Sequence, residues 1–163
     1  MGDYFSASIE VGGPMTKPTL DALVAAIVTD GPSIGDDYGG GDPGEQEYRD
    51  AIAEAAAANE PLKLCDEQAR SGTFESIEEF CEKNGLAFVR SSEAYCEFGA
   101  EIVWFQPGMK QTDFVVSVSG DACISVDDIR ECMSGTPEEQ VQKLNAYLAL
   151  KTPPACPPIA IVV

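Results

Sequence analysis

The chain has 163 residues, 44% of them hydrophobic and 23% charged, which suits one folded domain and excludes wholesale disorder. Its 28 Asp and Glu against 10 Lys and Arg give a formal net charge of -18, which argues against binding nucleic acid or an anionic membrane. Histidine is absent, so imidazole acid–base catalysis, His-containing triads and His metal ligands are excluded.

From the start, Phe5, Ala7, Ile9 and Val11 alternate with Ser6, Ser8 and Glu10, which predicts a half-buried strand ended by Gly12-Gly13-Pro14. Leu20, Leu23, Val24, Ile27 and Val28 recur at helical spacing, with Pro18 near the start and Gly31 past the end. The 31–44 stretch is rich in Gly, Pro and Asp and reads as a mobile surface loop. Glu45 to Asn59 reads as an alanine-rich helix with a thin apolar face through Tyr48, Ile52 and Ala56.

Pro61 to Cys65 is a short strand, Thr73 to Asn84 a helix capped by Thr73 and stopped by Gly85, and Leu86 to Arg90 a strand. Alternation from Tyr95 to Phe105 and the run Phe114 to Ser119 predict two more strands, separated by a turn at Pro107-Gly108. Ser125 with Asp128, and Thr136-Pro137 with Glu139, are start signals for two helices. The second is expected to bury Val141, Leu144, Tyr147 and Leu148, and Ile159 to Val163 closes the chain as a strand. Adjacent strands favour antiparallel pairing. The expectation is one α+β domain over 1–163, a mixed or mainly antiparallel sheet with helices packed largely on one face.

Chemistry is hard to find. No G-x-x-x-x-G-K phosphate loop is present, and Gly39-Gly40-Gly41 lacks the dinucleotide-binding spacing. Around Asp36, Asp37 and Asp42 the third and fifth positions of a calcium loop fall on Tyr38, Gly39, Gly40 and Gly41, where the pattern needs acids. Cys65, Cys81, Cys96, Cys123, Cys132 and Cys156 include no C-x-x-C pair, so they read as free thiols rather than a zinc site, with disulfides left open by the even count but not needed at this apolar content. Acids adjoin Cys65, Cys81 and Cys132 and would raise their pKa, which argues against a cysteine nucleophile. No catalytic residue, cofactor or metal is expected. The N-terminal residues show no secretory pattern and no apolar run spans a membrane, so a cytoplasmic location is expected.

Charge is concentrated instead. Between Asp30 and Glu101 lie 18 acids and five bases, a net of -13, against -5 for the remaining 91 residues. Glu75, Glu78, Glu79 and Glu82 fall at i, i+3, i+4 and i+7, which predicts one carboxylate stripe opposite the apolar residues Phe74, Ile77, Phe80 and Cys81. Spread evenly over ~7,800 Å² of surface, 18 charges give one per roughly 430 Å², about fourfold more dilute than B-DNA. Matching duplex DNA therefore requires Glu75, Glu78, Glu79, Glu82, Glu93, Glu97 and Glu101 to share a face with Asp36, Asp37 and Asp42.

The leading expectation is an acidic inhibitor of a basic partner, a nuclease or other nucleic-acid-binding protein, with no direct nucleic-acid contact. In composition alone it is similar to anti-restriction and anti-CRISPR DNA mimics of phages and plasmids, and to nuclease immunity proteins. The alternative is a cytosolic interaction or assembly module without mimicry, anchored by Tyr38, Tyr48 or Tyr95. The third is a carboxylate-based enzyme or small-ligand binder. A coherent negative face marks the first, an exposed apolar patch the second, and a pocket of buried, pKa-shifted carboxylates the third.

Overall fold

The computed structural model describes residues 3–36, 43–94, 99–117 and 119–162. Asp37, Tyr38, the Gly39–Gly41 run, Asp42, Tyr95, Cys96 and Glu97 lie outside the described residues. The elements run β1 (Tyr4–Met15), α1 (Lys17–Asp30), β2 (Ser33–Ile34), α2 (Glu45–Ala58), β3 (Leu62–Arg70), α3 (Glu75–Asn84), β4 (Ala87–Ser92), β5 (Ala100–Phe105), β6 (Thr112–Val116), α4 (Val126–Cys132), α5 (Pro137–Leu150) and β7 (Ile159–Ile161).

They build an α+β fold around one sheet of order β2-β3-β1-β4-β5-β6, antiparallel throughout, with β7 added parallel to β1. β1 lies between β3 and β4 and alternates buried and half-buried residues from Phe5 to Val11. Its buried Phe5, Ala7, Ile9 and Val11 face α1, α2 and α3, where Leu23, Val24, Ile27, Ile52, Phe74, Ile77 and Cys81 complete the main core. The period of two puts the other residues of β5 and β6 on the opposite face. There Trp104, Phe114 and Val116 form a second, smaller cluster.

Several local expectations change. β1 does not stop at Gly12-Gly13-Pro14. A Cβ on Gly12 would lie 1.7 Å from the Pro157 carbonyl oxygen, so glycine there admits the 157–158 segment, and Gly13 N–H donates to Pro158 O at 3.1 Å. The glycine signal marks a close approach, not a strand end. The 31–44 stretch is tied down at its start, where Ser33 and Ile34 pair with Cys65 and Leu64. Tyr48 is no exposed anchor. It is 1% exposed and its hydroxyl donates to Pro32 O at 2.6 Å.

β3 runs on to Arg70, carried by pairing with β1 despite its polar Asp66-Glu67-Gln68. Thr73 does not cap α3; its hydroxyl donates to Arg70 O, and Phe74 holds the cap position. Two acids take over. Asp30, at the end of α1, accepts from the Ser76 and Ile77 N–H groups (3.2 and 2.9 Å), and Glu78 accepts from Phe74 N–H (3.0 Å). The helices pack largely on one face, as expected. α1, α2 and α3 cover the main core, whereas the end of α5 meets the second cluster, with Trp104 Nε1–H donating to Leu150 O (3.2 Å).

Candidate functional site

The acidic stripe loses one of its four members, Glu78, to the interior. Arg90 lies opposite Ile9 and Val103 in the sheet, on the main-core side beneath α3, with its side chain only 4% exposed. Such a burial is tolerated only if the charge is met. Its Nε lies 2.9 Å from Glu78 Oε1, an ion-pair contact without hydrogen-bond alignment. Its Nη2 donates to Glu101 (2.9 Å) and its Nη1 to Gly72 O (2.7 Å). Glu78, its side chain 13% exposed, thus turns inward and holds the sheet to α3. Burial pushes its carboxyl above the usual range, against the opposing pull of Arg90 and the Phe74 N–H.

Glu75, Glu79 and Glu82 stay exposed on α3 at i, i+4 and i+7. Glu79 pairs with Lys83 (2.6 Å) and Asp36 with Lys63 (3.5 Å). Glu75, Glu82 and Glu93 are exposed and make no ion pair among the described residues. Asp37, Asp42 and Glu97 lie outside the described residues. The inward turn of Glu78 had a sequence signal. Arg90 shares the strand parity of buried Phe88, and Glu78 adjoins Ile77 on the helix face that carries Cys81.

The polar cleft of about 710 Å³ at the start of α3 includes Asp30, Asp66, Arg70 and Glu75. Asp30 is committed there to the α3 N–H groups. Among the described residues no group of three His, Cys, Asp or Glu is placed to hold a metal ion. Burial pushes the Cys81 thiol well up, and the Cys156 thiol up to about 12, so neither is a nucleophile at neutral pH.

The feature that stands out is the α4–α5 hairpin. Both helices start as the sequence predicts. Asp128 N–H donates to Ser125 Oγ (3.0 Å) and Glu139 N–H to Thr136 Oγ1 (3.3 Å), with each acid accepting in return from the cap backbone. Those hydrogen bonds hold both carboxyls below their usual range. The packing, however, is reversed. None of α5 is buried, contrary to the expectation for Val141, Leu144, Tyr147 and Leu148.

The half-buried positions of α5 are Gln140, Lys143 and Tyr147, at i, i+3 and i+7. Gln140 donates to the Met133 and Gly135 carbonyls, and Lys143 to the carbonyl and hydroxyl of Ser134. Just beyond the helix, Lys151 Nζ sits 5.3 Å from the Phe114 ring centre. The apolar stripe therefore points outward, with Val141 60%, Leu144 44% and Leu148 51% exposed. On α4 Val126 and Ile129 are exposed as well, and so is Met133 at its C-cap. Between the helices runs an apolar groove of about 460 Å³ lined by Ile124, Ile129, Met133, Pro137, Val141 and Leu144.

The sequence contains this stripe in full, as a period-3.6 pattern. What it does not contain is the absence of a cover: nothing in the spacing tells which side of an amphipathic helix its own chain will occupy. Comparison with protein-family models, with curated proteins and with solved structures finds no match to this chain. No helix among the described residues is long and apolar enough to cross a membrane.

Proposed function

We propose that the chain is a non-catalytic protein-interaction module of the cytoplasm, docking through the apolar stripe of α4 and α5. The observation that supports this reading is the orientation of α5, with its polar residues against the protein and Val141, Leu144 and Leu148 toward solvent. A helix in water is stable when its apolar side is covered. Covering the half of each side chain that is still exposed is worth about 1 kcal/mol apiece. None of the three is buried among the described residues.

The acidic-inhibitor reading stands second, supported by Glu75, Glu82 and Glu93, which are exposed without ion pairs among the described residues. Tagged native chain is compared with a Val141→Asn/Leu144→Asn/Leu148→Asn variant and a Glu75→Gln/Glu82→Gln/Glu93→Gln variant, for capture from host lysate at about 50 and 200 mM salt. A partner held at both salts, kept by the Gln variant and lost by the Asn variant is the expected result. A partner lost by the Gln variant, and held by native chain only at the lower salt, would move the reading to charged inhibition.

A further inference from the structure

We infer that the open edge of β3, from Asp66 to Arg70, takes an extended basic segment of a partner protein as an added strand. This goes beyond the docking reading above and uses a different surface from the α4–α5 groove. Three observations carry it.

The first is the edge itself. β3 is 9 residues long, but its outer neighbour β2 pairs only with Cys65 and Leu64. On that side Gly35 N–H donates to Lys63 O, and nothing among the described residues continues the ladder past Cys65. The period of two that turns the Lys63 backbone outward turns the Glu67 backbone outward as well. An unpaired edge of this kind is a template for another strand. From Asp66 to Arg70 it spans about 16 Å, enough to pair with a segment of equal length.

The second is space. Sheet edges are commonly closed by a helix or loop laid over them. Here the end of α1 and the start of α3 leave the polar cleft of about 710 Å³, and Asp66 and Arg70 of the edge lie on its wall with Thr29, Asp30, Thr73 and Glu75.

The third is charge. Asp30, Asp66, Glu67 and Glu75 surround this edge, against Arg70 alone. None of these five makes an ion pair among the described residues. Asp30 is held by the α3 N–H groups and one Asp66 oxygen by Gln68 N–H. The Glu67 and Glu75 carboxylates have no partner among the described residues.

This charge selects the occupant. A second copy or a nucleic acid would bring negative charge against these acids, and like charges across a ladder repel. A wholly apolar segment would strip water from them without compensation. A strand with Lys or Arg at alternate positions sets its cations against the carboxylates while its backbone extends the sheet.

The probe is a capped, fluorescently labelled hexapeptide that alternates Lys with Thr and Val, followed by fluorescence anisotropy at about 20 and 500 mM salt. Two companions separate charge from strand pairing. One carries Glu in place of Lys, and the other keeps Lys but has every backbone amide N-methylated. The Lys peptide should bind native chain with a dissociation constant below about 1 mM at the lower salt. Binding should weaken at least about tenfold at the higher salt and at least about tenfold on N-methylation, and the Glu peptide should not bind. An Asp66→Asn/Glu67→Gln/Glu75→Gln variant should lose at least about tenfold in affinity. Asp66→Asn keeps a carbonyl oxygen for Gln68 N–H, and Glu67 and Glu75 are exposed, so far-UV circular dichroism should stay native. In native chain, amide NMR shifts on titration should centre on residues 66–70.

No binding by the Lys peptide overturns the proposal. So does an N-methylated peptide that binds as well as its parent, which would reduce the contact to charge without an added strand. Affinity unchanged in the triple variant, or shifts confined to other residues, would place the contact elsewhere and overturn it too. Each of these outcomes leaves the docking reading standing, because that reading rests on Val141, Leu144 and Leu148 of α5.

Discussion

At the scale of single residues, the informative side chain is Glu78. In the sequence it is one of four glutamates in a regular stripe. In the fold it faces Arg90, and the two carry the contact between α3 and β4. The stripe expectation fails here for a definite reason. A helix face set by Phe74, Ile77 and Cys81 is wide enough to include position 78, and the sheet beneath presents a guanidinium that must be neutralised. Because burial holds the Glu78 carboxyl above its ordinary value of 4.5, folding favours its protonated form. The folded state then binds more protons, so this contribution is full below the unfolded value and is lost as pH rises through the folded one. Glu78→Gln mimics the protonated group and removes that loss. Its stability relative to native chain, from urea unfolding at pH 4 and pH 7, should improve toward pH 7. A difference that is flat, or that worsens toward pH 7, would mean that Arg90 outweighs burial.

At the scale of elements, most starts and stops were readable because they are local. Gly31 and Gly85 end α1 and α3 in the left-handed conformation, and the Ser125 and Thr136 boxes open α4 and α5 where the spacing placed them. The misses are elements whose partner is distant in sequence. β2 and the second half of β3 exist because β3 and β1 pair with them, and α3 is capped by Asp30, about 46 residues earlier. Asp30 therefore ties the end of α1 to the beginning of α3 through two N–H groups at once. Asp30→Ala should cost about 1–2 kcal/mol, the range for losing a helix cap, as a lower midpoint in urea unfolding. Thr73→Ala, at the residue the sequence pointed to, should cost less than half of that. Equal losses from both would show that the tertiary cap contributes nothing beyond the local turn.

At the scale of the whole molecule, the sequence disclosed the amount of charge but not its arrangement. Over the 9480 Å² of the folded surface, 18 net charges fall about one per roughly 530 Å², against about one per 100 Å² for duplex DNA. Glu78, Glu79, Glu101 and Asp36 pair with Arg90, Lys83 and Lys63, which the net figure already counts. What remains still repels itself, and repulsion spread over a whole surface is the part that salt relieves most. Glu82, at the end of α3, and Glu93, just after β4, are exposed, without ion pairs among the described residues, and away from any helix N-terminus. Glu75 differs, since the first turn of α3 draws it in. Reversing Glu82 and Glu93 to Lys changes the charge by two units each, from -18 to -14. If these side chains have no structural partner, the variant should melt a few degrees higher than native chain at about 20 mM salt and lose the advantage near 500 mM. A variant that melts lower at both salts would show that these acids hold the fold together, and the surplus charge would then belong to stability rather than to solubility or a partner.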